Sequence, residues 1–281
     1  MTAPDDGALR VGIGGLGTIG LPVARWLDGC AGGLDNGAEG LILTAVSAAD
    51  KERAQERVAG LKTSVPVVGL DELAEHADIV LESLPPERFL EIAEPAIRAG
   101  RVLVTLSVTS LIEHMDLIEL ARETGARIVV PTGAILGLDA VRAAALGNIR
   151  SVTMVTRKPP KGLKKAPFVI EQGIDLDALE APMKLYEGPV AGAAAKFPAN
   201  VNVAVALALA GIGPDRTQYE IWADPGLARN THTIKVDSDA AVFEMTIAVV
   251  PMEENPATGQ IVPLSVMETL RGLVTPFKVG T

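Results

Sequence analysis

Short apolar runs alternate with longer amphipathic stretches through the first half of the chain. "RVGIGG" (10–15) predicts a strand and "TIGLPVARWLDG" (18–29) a helix closed by Gly29. "GLILTAVSA" and "DKERAQERVAGL" repeat the pair, and "VPVVG" predicts a short strand before the helix "LDELAEHA". "DIVLESL", "PERFLEIAEPAIRAG", "RVLVTLSV", "SLIEHMDLIELARETG" and "ARIVVPTGA" continue the series. Strands without polar alternation are buried on both faces, and their alternation with helices predicts a parallel sheet covered by helices on both sides. After Gly137 the pattern changes. Strand-like segments at 149–157, 184–190, 217–223, 230–236 and 240–251 enclose two helical stretches, 139–146 and 199–211. They predict a second, α+β domain with an antiparallel or mixed sheet over 138–262, serving catalysis and dimerisation. The first domain takes residues 1–137, and the helix at the start of 263–281 is expected to return to it.

"GLGTIG" (15–20) follows a predicted strand and opens a predicted helix, the context in which G-x-G-x-x-G cradles a dinucleotide in a Rossmann-type doubly wound α/β fold. Gly15 allows the tight turn, Gly17 close approach to the pyrophosphate, and Gly20 close helix–strand packing. With Leu16, Thr18 and Ile19 they form the expected phosphate site at a helix N-terminus. In the usual fingerprint an acid ends the second strand and binds the adenosine ribose. Here that position is Ser47, with Lys51 and Arg53 following, so the balance for NAD(P) tips toward NADP; Asp50 could still reach a ribose if its loop bends back. The cofactor should lie along the strands' carboxyl ends, flanked by Ser83, Leu84 and Pro85. Ser107 and Val108, with Thr132, Gly133 and Ala134, should approach the nicotinamide, Thr132 and Gly133 within reach of substrate.

Composition narrows the partners. A formal charge of −10 and few aromatic residues argue against nucleic acid. The longest apolar run, 201–213, is too short to span a bilayer, and the N-terminus lacks the apolar core of a signal peptide. The single cysteine, Cys30, fits a cytoplasmic protein without an intrachain disulfide or a Cys-rich metal site, and no metal is expected. A basic cluster at 157–167, with Arg157, Lys158, Lys161, Lys164 and Lys165, reads first as a solvated loop and second as a field for an acidic substrate or cofactor phosphate.

Hydride transfer needs an acid–base group, and histidine suits it because its pKa of about 6.5 lies near working pH. His76 sits on a charged helix and His114 in the middle of another, both surface or packing positions. His232, between two threonines in a strand, is the candidate.

Four stretches resemble the L-aspartate dehydrogenase family. "PTGAILGLDAVRAA" (131–144) is similar to its S-G-A-I-G-G-L-D stretch, "KFPANVNVAVALALAG" (196–211) to its F-P-x-N-x-N-V-A helix opening, and "ADPGLARNTHTIKV" (223–236) to its A-D-P-x-x-x-x-N-x-H run. "ENPATGQIVPLSVMETLRGL" (254–273) resembles its N-P-x-T segment and last helix. The resemblance implies a small-molecule oxidoreductase that oxidises L-aspartate with NAD(P) to iminosuccinate, in some members feeding NAD biosynthesis. It maps the active-site histidine onto His232 and a neighbouring asparagine onto Asn230. His232 would exchange a proton with the amine or polarise the imine. Asn200 and Asn202 could bind a carboxylate or cap their helix, and an open second sheet suggests a homodimer. Departures include "ESLPP" for E-C-A and Leu136 for a glycine, which leave room for a larger or differently charged amino or imino acid. Homoserine-dehydrogenase-like and dihydrodipicolinate-reductase-like reductases, and a non-catalytic NAD(P)-sensing module, are the alternatives.

Overall fold

The computed structural model describes residues 7–29, 38–198, 201–255 and 258–280. The chain divides into two compact units, Met1–Pro131 with Val262–Val279, and Thr132–Ile261 with Gly280–Thr281. Cys30 lies outside the described residues.

The first unit runs β1 (Leu9–Gly14), α1 (Gly20–Leu27), β2 (Leu41–Ser47), α2 (Lys51–Val58), α3 (Leu73–His76), β3 (Ile79–Glu82), α4 (Phe89–Arg98), β4 (Val102–Thr105), α5 (Val108–Glu113), α6 (Asp116–Thr124) and β5 (Arg127–Val129). Its strands make one parallel sheet in the order β2-β1-β3-β4-β5. The strand expected at "VPVVG" is reduced to a single bridge, Val46 to Val67, on the far side of β2. Pro66 has no N–H to give, and only its carbonyl joins the ladder, accepting from Val46 N at 3.0 Å.

Strand alternation sends Val11, Ile13, Ile79, Leu81 and Val104 to one face, where Val23, Ala24 and Leu27 of α1 cover them. Val266, Met267 and Leu270 of the chain's last helix join the same cluster. Ala45, Val80 and Leu103 face the other way, onto Phe89, Ile92, Ala93 and Ile97 of α4 and Leu117 and Ala121 of α6. Helices therefore cover both sheet faces, the doubly wound arrangement. β1 lies between β2 and β3, so the strand order reverses beside it, and the crevice there is where such folds bind ligands.

The single helix expected over 110–125 is two. His114, at φ −130° and ψ 53°, ends the first instead of lying mid-helix. Leu111 and Leu117 are six residues apart, and an unbroken helix would turn them about 120° from one another. The break lets both stay buried, at 3% exposure each.

The second unit adds α7 (Leu138–Ala144), β6 (Ile149–Lys158), α8 (Pro167–Glu171), β7 (Met183–Pro189), α9 (Val190–Ala194), α10 (Asn202–Ala210), β8 (Gln218–Ala223), β9 (Asn230–Ser238) and β10 (Val242–Val249). Its sheet is mixed, ordered β10-β9-β6-β8-β7, with β6 parallel to β8 and the other neighbours antiparallel. One face is buried through Val152, Met154, Ile221, Ile234 and Val236. Thr156, Lys158, Tyr219 and His232 project from that same buried face, where alternation alone would have placed further aliphatics.

Candidate active site

At the end of β1 the chain turns through Gly15, whose φ of +93° an L side chain rarely adopts and where a Cβ would stand 2.4 Å from the Ser83 carbonyl oxygen. At Gly20, the first residue of α1, a Cβ would come within 1.9 Å of the Gly15 oxygen. Gly17 differs: nothing stands within 4 Å of its virtual Cβ, and the residue is exposed. Two glycines thus close the turn against its own framework, and the third leaves open space beside the start of α1. No side chain caps that helix start, and no acid lies in its first turn. Amides and the positive dipole end are therefore left for an anion. These residues fit a dinucleotide pyrophosphate. Leu16 is buried inside the turn, while Thr18 and Ile19 are half-buried at its rim. Gly17→Ala is accordingly expected to leave thermal stability nearly unchanged, within about 0.5 kcal/mol, because its methyl meets no protein atom. It should weaken NADPH binding about tenfold or more by filling the approach path, which calorimetric titration would measure.

Ser83 locks the turn from the end of β3. Its N–H donates to Gly14 O at 2.9 Å, and its hydroxyl donates to Gly15 O at 2.9 Å. Leu84 is half-buried and Pro85 exposed beyond it. Beneath them lies Glu82, fully buried at the carboxyl end of a strand with no exposed residue. Its Oε1 accepts from Leu84 N (2.8 Å) and Ser107 Oγ (2.9 Å), and its Oε2 from Thr105 Oγ1 (2.6 Å), Leu106 N (3.1 Å) and Ser107 N (3.0 Å). One carboxylate thereby ties the loop after β3 to the loop after β4. The sequence reading passed over Glu82; its one signal was an acid closing an otherwise apolar strand. The same network takes up Ser107, expected near the nicotinamide: its hydroxyl is buried and donates to Glu82. Val108 is buried as well.

β2 ends at Ser47, whose carbonyl accepts from Gly15 N at 2.7 Å, so the ribose-binding position of the fingerprint adjoins the turn. Asp50 does not bend back: its Oδ1 accepts from Arg53 N at 3.0 Å and caps α2. Lys51 and Arg53 are exposed, and the Arg57 guanidinium donates to the Leu16 carbonyl within the glycine turn.

In the second unit His232 is buried on β9 directly across from Thr156 of β6, and Thr156 Oγ1 lies 2.9 Å from its Nδ1. Thr156 also hydrogen-bonds the fully buried Tyr219, whose phenol burial pushes upward in pKa. Burial, and then the positive charge of Lys158, depress the His232 pKa to about 3. The imidazole is held neutral. Asn230 lies two residues away on the same strand face, half-buried.

Lys158 overturns the solvated-loop reading for its position. It is the last residue of β6, 7% exposed, with its pKa pushed down to about 8 by burial. Arg157 projects from the opposite face onto the Trp222 ring, 4.9 Å from its centroid. Lys161, Lys164 and Lys165 are exposed, as a solvated loop requires. Asn202 is the first residue of α10, whose start carries no side-chain cap, and Asn200 lies outside the described residues. Thr132 (exposed) and Gly133 and Ala134 (half-exposed) also belong to this unit, in a turn where Ile135 N donates to Thr132 O at 3.3 Å. Among the described residues no cluster of three or more His, Cys, Asp or Glu side chains could hold a metal ion.

Residues 139–273 match the family described as aspartate dehydrogenase, C-terminal, and residues 15–131 match the homoserine dehydrogenase NAD-binding domain. The chain is 50% identical over 97% of its length to an L-aspartate dehydrogenase of Bradyrhizobium diazoefficiens, covering 94% of that protein. The chain belongs to the L-aspartate dehydrogenase family. An L-aspartate dehydrogenase of Methanosarcina acetivorans is 38% identical, with 97% of this chain and all of that protein covered. The solved aspartate dehydrogenase of Thermotoga maritima superposes with a TM-score of 0.71 at 23% identity, over 97% of this chain and 99% of that one, and so shares the fold. Among the described residues no helix is long and apolar enough to cross a membrane.

Proposed function

We propose that this member of the family is an NAD(P)-dependent dehydrogenase that interconverts L-aspartate and its imino acid. The observation that carries the reading is the neutral, buried His232 held by Thr156 with Asn230 on its strand face, in a chain half identical to proteins named L-aspartate dehydrogenase. A bound nicotinamide would supply the acceptor for the hydride leaving Cα. His232 and Asn230 would hydrogen-bond the substrate, and Asn202 and Thr132 would contact its carboxylates. A panel of 2-oxo acids with ammonia and NADPH, followed by loss of absorbance, tests this. Oxaloacetate is expected to react fastest. Preference for an unrelated oxo acid would overturn the substrate assignment, and binding without turnover of any would favour a sensor.

For the cofactor, a serine at position 47 and the cations Lys51, Arg53 and Arg57 favour NADP over NAD, since an acid there would repel a 2′-phosphate. Ser47→Asp is expected to raise the NADP Kd about tenfold while changing the NAD Kd about twofold or less. Equal changes for both would remove the basis for an NADP preference. A cytoplasmic setting suits the cysteine content. A homodimer is supported by the sheet face opposite His232, which leaves Lys235, Val242, Glu244 and Thr246 exposed.

A further inference from the structure

We propose that Lys158 is the catalytic residue that exchanges the proton with the substrate nitrogen, and that His232 beside it works as a fixed hydrogen-bond donor. The inference rests on the function proposed above and assigns roles within it.

Geometry puts the two side chains together. Thr156 and Lys158 are two residues apart on β6 and so share the sheet face that carries His232. The β6/β9 ladder pairs Thr156 with His232 and Arg157 with Thr231, and the next residues along are Lys158 and Asn230. Lysine, threonine, histidine and asparagine therefore cluster at one end of two central strands. Lysine is among the residue types least often buried, and this one is 7% exposed.

The hydrogen-bond chain decides what His232 can do. The 2.9 Å contact between Thr156 Oγ1 and Nδ1 fits either tautomer; because a phenol is a stronger donor than an alcohol, we take Tyr219 as the donor to Thr156 and Thr156 as the donor to Nδ1. The ring's hydrogen then sits on Nε2, which can donate to a substrate oxygen or nitrogen but has no lone pair to accept a proton. Lys158 has the complementary property. Burial has moved its pKa to about 8, so at mildly alkaline pH a large fraction is the neutral amine. Titratable groups near it include His232 on β9, which feels its charge, and Asp224 just after β8. Asp224 donates its amide to the Lys158 carbonyl at 2.8 Å and turns its carboxylate to Arg157, at 3.4 Å, and to Gly226 N, at 3.0 Å.

The step is a proton transfer. The neutral Nζ takes one proton from the α-ammonium: an N–H bond breaks on the substrate and one forms on the lysine, with no change of oxidation level. The substrate is left as the free amine, the form whose lone pair can become the C=N bond. In reverse, the Lys158 ammonium returns the proton.

Nitrogen-15 NMR of lysine-labelled enzyme, with the Lys158 resonance assigned by its absence in Lys158→Arg, should show titration near pH 8; titration above pH 10 would overturn the proposal. In aspartate oxidation, Lys158→Met should lose about 10²-fold or more in kcat, together with the ionisation near pH 8 in the rate profile. Lys158→Arg, which keeps the charge but cannot give up a proton, should be equally impaired. His232→Gln, which keeps a donor, should retain that ionisation. A Lys158→Arg enzyme at wild-type rate, or a Lys158→Met enzyme with an unchanged profile, would reject the proton-transfer role. A wild-type enzyme inert toward aspartate would reject the functional reading instead, and the NMR titration would still stand.

Discussion

Replacing His232 with alanine is expected to lower turnover of aspartate about 10²–10⁴-fold while leaving the NADPH Kd within about twofold of wild type. The imidazole is 4% exposed and held neutral by burial and by the charge of Lys158. Such a group contributes a directed N–H in a site of low dielectric, where one hydrogen bond to a developing charge is worth several kcal/mol. The alanine variant loses that donor and also one of the two partners of the Thr156 hydroxyl, now 2.9 Å from Nδ1, an added cost of about 1 kcal/mol in stability. Cofactor affinity should survive because the glycine turn and Ser83 belong to the other compact unit. Steady-state kinetics and calorimetric titration on the same preparation separate the two effects. Turnover comparable to wild type would remove His232 from the chemistry.

Glu82→Ala is expected to destabilise the dinucleotide unit strongly. It removes the acceptor of five hydrogen bonds, three of them from the backbone amides of Leu84, Leu106 and Ser107. Breaking a buried charged network from one side typically costs about 3–5 kcal/mol, or roughly 10 °C in Tm for a protein of this size. Glu82→Gln should do little better, since its amide N–H₂ would meet donors where the carboxylate met them as an acceptor. Calorimetric melting of both variants gives the answer. A Tm within about 2 °C of wild type would mean that water readily replaces the carboxylate, and that the loops after β3 and β4 do not depend on it.

The order of elements and the parallel first sheet were legible in the chain because buried parallel strands appear as continuous apolar runs. Gly15, Gly17 and Gly20 were legible because the turn needs glycine at that spacing. His232 stood out because it is the one histidine in the second half of the chain. Other features were not legible. "VPVVG" looks like a strand, yet Pro66 leaves it one bridge. Glu82, which accepts from the Ser107 hydroxyl and amide, shows in the sequence only as an acid closing an apolar strand.

Sequence by itself determined what is local or periodic: which segments bury, where the backbone must be bare, and which residue types are rare enough to stand out. Tertiary structure decided what depends on register between distant strands. Thr156 and His232 are 76 positions apart and meet only because β6 and β9 pair in one alignment; a slip of one residue would turn the histidine to the other face. Lys158 sits in a run of basic residues that looks solvated, and only its place as the last inward-facing residue of β6 buries it. Burial and pairing are properties of the folded surface around a residue, so neither the neutral imidazole nor the amine beside it could be read from a string of letters.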